Sequence, residues 1–273
     1  FKMTAAARLQ QTTLFYRKKF DLKPERSTDQ DLYESKLSFP SAHSFSIAAI
    51  LPGSKVLNVG CSGSHVARAL KEKDCSVVGV DFAPEPEDSP FEKYYRITPD
   101  LRELRVGDLV QFDFVLILDM LSRFENPDLV IENLATQARR HPNLRFLATN
   151  GNILFVVNRL VALFGGFNYS RRGNLDLSAR RLFTVSSFVR LFDDYGFEVT
   201  GIKGIPAPAP LLFGDNVISR AIVVINQFLI KLSKGLFAYQ TMVEAKPRPS
   251  LEWLLERTQT ATRERELNAK KTS

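Results

Sequence analysis

Residues 55–83 read KVLNVGCSGSHVARALKEKDCSVVGVDFA, and no other stretch restricts the fold as strongly. Residues 56–59 are a short apolar run of strand length. A glycine and serine turn follows, after which residues 64–73 set Val66, Ala67, Ala69 and Leu70 on one helical face. Residues 77–80 form a second apolar run, and together the pieces spell one β-α-β unit with parallel strands. Gly60 and Gly63 let the backbone take positive φ and approach a ligand, and the helix start behind them offers unpaired N–H groups. Asp81 ends the second run, 21 residues after Gly60, where an acidic side chain in such a unit grips a ribose diol.

The turn, Gly60-Cys61-Ser62-Gly63-Ser64, has too few glycines for the G-x-G-x-x-G pattern that receives a pyrophosphate. A G-x-x-x-x-G-K-S/T phosphate loop is also missing. Its order of residues instead resembles motif I of the class I S-adenosylmethionine (SAM) dependent methyltransferases, an apolar run, an acid, an apolar residue and G-x-G-x-G. Asn58 stands at the acid, and Gly60, Ser62 and Ser64 stand at the three glycines, so only Gly60 matches strictly.

The rest of the chain can be laid out around this unit. Residues 4–20 have helical composition with a basic end, and residues 21–31 form a polar connector. A short helix is expected over 44–51, and strands over 91–98, 112–119 and 143–149. FDFVLILD at 112–119 is apolar enough to lie centrally. Pro127 opens a helix to about 140. Residues 153–164 are apolar on nearly every side yet too short to span a bilayer, which suits the core, a partner or a membrane surface. Thr184 caps a helix ended by Gly196, and residues 197–205 are a sixth strand. Pro206, Pro208 and Pro210 read as a rigid connector. A long helix over 215–234 follows, with a polar stripe through Asn216, Ser219, Arg220, Asn226, Gln227, Lys231 and Lys234 and a broad apolar face expected to lie on a sheet. Its basic residues also permit peripheral membrane contact. Residues 236–245 make a seventh strand, and a charged helix begins at Leu251.

Seven strands in this order, with a late antiparallel pair, resemble the class I methyltransferase fold from about residue 41 to 246. That is an α/β, Rossmann-like seven-stranded sheet with helices on both faces, plus an N-terminal helix and helical additions. The domain layout expected is an N-terminal helical segment over 1–40, the methyltransferase domain over 41–250 and a charged C-terminal helix over 251–273. SAHS at 41–44, DFA at 81–83, LFT at 182–184 and LFAYQ at 236–240 are similar to methyltransferase domains of bacterial sugar and glycan pathways, often fused to glycosyltransferases.

The resemblance implies SAM as cofactor and places site residues one by one. Gly60, Ser62 and Gly63 fall against the methionine part, with Asn58 near its amino group. Asp81 falls at the ribose hydroxyls, Phe82 on adenine or ribose, Asp100 and Leu101 at the adenine, and Asp119 and Met120 near the sulfonium. Asp100 equally suits a helix N-cap. His43 either lies over the ligand or is a loop or cap residue. Asn168, Tyr169, Arg171, Arg172 and Arg181 form an aromatic and basic region that either contacts an anionic or sugar-like substrate or is a solvated loop. Ser122 and Arg123 stand where the family commonly has Glu-His, and no catalytic base is assigned.

Two cysteines and three histidines give no disulfide framework and no metal set, which suits a reducing cytoplasmic setting, with attachment to the inner membrane left open. The net charge of +7 suits anionic partners or simply a basic surface. The expected function is O-methylation of a sugar, glycan, lipid-linked or other small acceptor, because the amino-methylating D/N-P-P-Y/F signature is absent after the fourth strand. A catalytically degenerate binding module is the alternative, and nucleic-acid methylation rests on charge alone. Homodimerisation or fusion to a larger polypeptide is compatible with either function.

Overall fold

The computed structural model describes residues 37–61, 64–98, 109–166, 169 and 173–250, together with 253, 255, 258 and 259. The helix expected over 4–20 and the cap position of Asp100 lie outside the described residues. Of the C-terminal charged helix only Trp253, Leu255, Thr258 and Gln259 are described, all helical.

A capping box between Ser41 and Ser44 starts α1 (Ala42–Ala49), two residues earlier than expected because Ser41 rather than Ser44 is the cap. β1 (Lys55–Val59), α2 (His65–Lys71) and β2 (Ser76–Asp81) form the β-α-β unit, and β3 (Lys93–Arg96) is shorter than its aromatic run suggested. β4 (Phe114–Leu118) is buried at every position. Asn126 caps α3 (Pro127–Ala138), which carries its proline in the first turn and leads to β5 (Arg145–Gly151). Next come α4 (Val156–Leu163), α5 (Val185–Asp194) with the expected Thr184 cap, and β6 (Phe197–Ile205). The proline run is a correction: Pro208 and Pro210 open a short helix, α6 (Ala209–Phe213), since proline costs nothing in a first turn whose N–H groups are unpaired anyway. α7 (Val217–Leu232), α8 (Lys234–Phe237) and β7 (Gln240–Pro247) complete the series, with Gly235 inside α8 rather than ending α7.

One seven-stranded sheet results, ordered β3-β2-β1-β4-β5-β7-β6. Its first five strands are parallel, and β7 runs antiparallel to both β5 and β6. This is the order and the late antiparallel insertion of the class I methyltransferase fold. On one face Leu57, Ile117, Phe146 and Val243 meet Ile131 and Leu134 of α3 and Phe188 and Phe192 of α5. On the other, Val56, Leu116 and Met242 meet Ala42 of α1 and Ala67 and Leu70 of α2. A run of edge-on rings, Phe188 to Phe192 at 5.6 Å, Phe192 to Phe197 at 5.6 Å and Phe197 to Phe146 at 4.7 Å, ties α5 through β6 to β5. Each such contact adds about 0.5–1.5 kcal/mol beyond simple burial.

α7 buries only a narrow face, Val223 and Ile230 together with Ser219 of the polar stripe, instead of the broad apolar face expected. Ser219 is fully buried, and Asn226 accepts the Ala207 N–H through Oδ1 at 2.8 Å and donates through Nδ2 to the Phe237 carbonyl at 2.9 Å. Asn226 of the polar stripe therefore supplies two bonds that fasten the helix, and Val224, Phe228 and Leu232 stay 63%, 63% and 68% exposed. Close approach to β6 is possible because Gly204 lacks a side chain: a Cβ there would sit 2.5 Å from Cγ2 of Ile230. α4 buries none of its own residues, so within residues 153–164 the core takes only Phe155, which is buried just ahead of the helix and packs edge-on against Tyr239. Replacing Asn226 by Ala strands one backbone donor and one acceptor, and should lower unfolding free energy by about 1–3 kcal/mol in urea titrations.

Candidate functional site

Parallel strands β1, β2 and β4 end at one edge of the sheet, and the predicted residues collect there. The Gly60 N–H donates to the Val80 carbonyl at 2.8 Å, which joins the turn to the end of β2. Gly60 has φ of 85°, and a Cβ on it would lie 2.9 Å from both the Leu118 carbonyl oxygen and Met120 Cβ. No other residue fits this position without moving the backbone of the β4 terminus. Ser64, at the start of α2, also has positive φ, 61°.

Four polar groups along this edge are buried but incompletely partnered. Asn58 is 1% exposed with Oδ1 unpaired. Asp81 is 3% exposed, its Oδ1 accepting the Ala83 N–H at 3.1 Å and its Oδ2 without a partner. At the end of β5, Asn150 keeps an unpaired Oδ1, and so does Thr241 its Oγ1, its cross-strand neighbour on β7. Buried acceptors are rarely left bare in a native fold, so this edge has the character of a site made for a polar ligand. Phe82 stands next to Asp81 and is braced edge-on by the buried Phe124 at 5.3 Å, giving a flat wall beside the carboxylate.

Asp119 is held differently. Its φ is 53°, its N–H donates to the Thr149 carbonyl at 3.1 Å, and its carboxylate accepts from Thr149 Oγ1 at 3.2 Å and from Gln240 Nε2 at 2.7 Å. A strained backbone and a doubly held carboxylate fix it rigidly at the end of β4, with Met120 buried behind Gly60. Tyr239, beside Gln240, has its phenol pushed up to about 12, chiefly by burial and then by the carboxylates of Asp119 and Asp176. It stays protonated at neutral pH. Thr149, Asn150, Tyr239, Gln240 and Thr241 were not foreseen from sequence; the available signal was the polar Gln-Thr pair opening an otherwise apolar strand.

His43 is buried within α1, past the cap, so it is neither a loop nor a cap residue. Ser62, Gly63, Asp100, Leu101, Asn168, Arg171 and Arg172 lie outside the described residues. Tyr169 is 47% exposed. Arg181 is paired with Asp128 and lies over the Phe183 ring at 4.9 Å, so its guanidinium braces α3. Arg123 lies 3.9 Å from Asp176. Among the described residues, no three His, Cys, Asp or Glu side chains gather to hold a metal ion. A hollow of about 330 Å³ lined by Leu51, Asp113, Asn143 and Arg145 opens at the other end of the strands and contains none of the predicted residues.

The family described as "Methyltransferase domain" matches residues 32–201. Over 113 residues, 38% of this chain and 47% of the relative, the sequence is 31% identical to the ubiquinone biosynthesis O-methyltransferase of Hahella chejuensis. Over 177 residues, 60% of this chain and 74% of the relative, it is 24% identical to the protein of the same name from Aliivibrio fischeri. The chain thus spans about half the length of the first of these curated relatives. Among solved structures, a chain from the complex between the Haloferax volcanii Trm112 methyltransferase activator and a methyltransferase superposes with a TM-score of 0.52 at 14% identity, over 82% of this chain and 95% of that one. That likeness speaks for the fold.

Gly60→Ala places a side chain at positive φ against fixed backbone, and should cost about 1–3 kcal/mol in thermal unfolding and displace the β4 terminus. The pH response has a definite sign. Burial first, then the Asp81 charge, raises the Cys61 thiol from 9.0 to about 12, and Tyr239 rises to about 12 as well. Groups whose pKa is raised by folding stabilise the protein below their unfolded value and lose that contribution as pH rises toward the folded one. Urea midpoints should hold to about pH 9 and fall from there toward about pH 12, with a shallower fall in Cys61→Ala.

Proposed function

The chain belongs to the methyltransferase-domain family, with the class I, SAM-dependent fold, and from that premise we propose that it methylates a hydroxyl oxygen of a small organic acceptor. The observation that carries the reading is Asp81: a buried carboxylate at the end of β2, beside the Gly60 turn, with one oxygen bare. That is the acceptor a ribose diol requires.

When bound, SAM supplies an electrophilic methyl carbon on a sulfonium; the chain supplies placement. In this reading Asp81 Oδ2 accepts from the ribose hydroxyls, and Phe82, braced by Phe124, lies on the adenine or ribose. Gly60, Ser62 and Gly63 leave room for the methionine part, and Asn58 Oδ1 accepts from its ammonium group. Asp100 and Leu101 border the adenine. Met120 and the fixed Asp119 form the wall nearest the sulfonium, and His43 approaches from α1. Neutral Asn58 in place of an acid weakens the hold on the ammonium without removing it. Methyl transfer is an in-line displacement, so alignment of acceptor oxygen and methyl carbon carries most of the catalysis.

Oxygen as the receiving atom is supported by the residues after β4, Asp119-Met120-Leu121-Ser122, which lack the amino-methylating pattern, and by relatives named O-methyltransferases. The relatives' name, ubiquinone biosynthesis, speaks for a different acceptor from the sugar or glycan expected at first. Asn168, Tyr169, Arg171, Arg172 and Arg181 remain the acceptor side in this proposal, joined by Asn150 and Thr241. A non-catalytic module is the second reading, favoured by Ser122 and Arg123 in the usual Glu-His positions and by the tie of Arg123 to Asp176.

Calorimetry with S-adenosylhomocysteine tests the proposal. Wild-type protein should bind, and Asp81→Ala should bind at least about tenfold more weakly, the scale of losing a hydrogen bond to a charged group. No binding, or equal binding by both proteins, would overturn it; binding without transfer of labelled methyl to any phenolic or sugar hydroxyl would leave the non-catalytic reading.

A further inference from the structure

We propose that the outward face of α7 is a docking surface for an anionic lipid bilayer. The face is large and continuous along the helix. Val217, Val224, Phe228 and Leu232 are 84%, 63%, 63% and 68% exposed, and Leu212 and Phe213 of the adjoining α6 add side chains at 70% and 61%. A contiguous apolar patch of this kind marks an interaction surface.

Rotation cannot hide it. Asn226 bonds the opposite side of the helix to Ala207 and Phe237, Val223 is buried on that side, and Ile230 is locked over Gly204. Turning the apolar face inward would break both Asn226 bonds. Outward exposure is therefore built in.

Charge and composition together select a lipid surface over a protein partner. From Val199 to Val243 the sequence contains one carboxylate, Asp215, which is paired with Arg220 by a two-pronged bond at 2.8 Å, leaving Lys203, Lys231 and Lys234 as the excess charge. Arg220 and Lys231, about three turns apart, share one margin of the apolar face. The second exposed helix, α4, repeats the pattern: from Gly151 to Leu175 there is no carboxylate, while Leu160, Leu163 and Phe164 are 51%, 77% and 86% exposed beside Arg159. Protein interfaces concentrate their binding in Trp, Tyr and Arg anchors, with Leu and Val under-represented. α7 has no Trp, Tyr or Met, and its outward side chains are aliphatic plus one Phe. Aliphatic side chains edged by cations, on a helix lying in the interface plane, are what a headgroup and acyl boundary accepts. No helix among the described residues is long and apolar enough to cross a membrane, so the contact is peripheral.

Docking would also orient the site. Asn226 bonds the carbonyl of Phe237, and Gln240, which holds Asp119, lies on the strand that follows directly. A bilayer against α7 would thus stand close in the chain to the acceptor side of the proposed site.

Vesicle co-sedimentation of the full chain tests the proposal, with vesicles of equal parts phosphatidylcholine and phosphatidylglycerol compared with phosphatidylcholine alone. The wild-type chain should bind the anionic vesicles. Phe228→Asp should weaken that binding by about tenfold or more, as withdrawal of one inserted large side chain implies. Lys231→Glu should weaken it at low salt and much less at high salt. Circular dichroism and S-adenosylhomocysteine binding should be unchanged in both, which separates a failure here from a failure of the methyltransfer reading. Absence of binding by folded wild-type protein, or equal binding by Phe228→Asp, would overturn the proposal. So would a wild-type dimer that Phe228→Asp converts to monomer without any vesicle binding, since the face would then be covered by a second copy.

Discussion

The contact of Gly60 with the Leu118 carbonyl and the Met120 side chain is the constraint on which the rest of the site depends. It needs a residue without a Cβ, held at positive φ, with the end of β4 brought to 2.9 Å of where a side chain would begin. A parallel arrangement makes this contact available, because β1 and β4 are direct neighbours whose carboxyl ends stop together. Once that corner is closed, Asp81 on one side and Asp119 on the other have their positions fixed by strand register. The two acids nevertheless have opposite characters. Asp81 keeps a bare oxygen, whereas Asp119 is saturated by Thr149 and Gln240. Ligand recognition and scaffold support are thus divided between two carboxylates at the same edge.

Local signals were readable from sequence where short-range chemistry decides the structure. Gly196 and Pro206 bracket β6, whose bounds match the expected 197–205, and the Thr184 capping box sets the start of α5. Apolar runs gave β1, β2 and β4 for the same reason: a strand buried on both faces has no polar positions to confuse its limits. The proline triplet misled because proline stops a helix yet also starts one, and only the first turn's geometry distinguishes the cases.

Long-range effects were not readable. An amphipathic helix is normally assigned by turning its whole apolar face inward, but α7 buries only Val223 and Ile230 of that face, since Asn226 beside them finds two backbone partners that lie 11 and 19 residues away. The hold on Asp119 was invisible for the same reason, and Asn150 with Thr241 became neighbours only when β7 was inserted beside β5. Within the candidate site, the β-α-β unit was legible as a ligand corner, while the acceptor side depends on pairings that a linear pattern does not encode.

Gln240 lies 121 residues from the aspartate it holds, and beyond residue 201, where the match to the family ends. During synthesis the cofactor corner can assemble from β1, β2 and β4 well before the chain that steadies Asp119 has emerged. Closing so distant a pairing is among the slower steps of folding, because its loop entropy falls due before its contacts form. A nascent chain halted before β7 would carry a formed Gly60 corner beside an unsupported Asp119. Order of assembly, as well as final geometry, would then decide when the site acquires its shape.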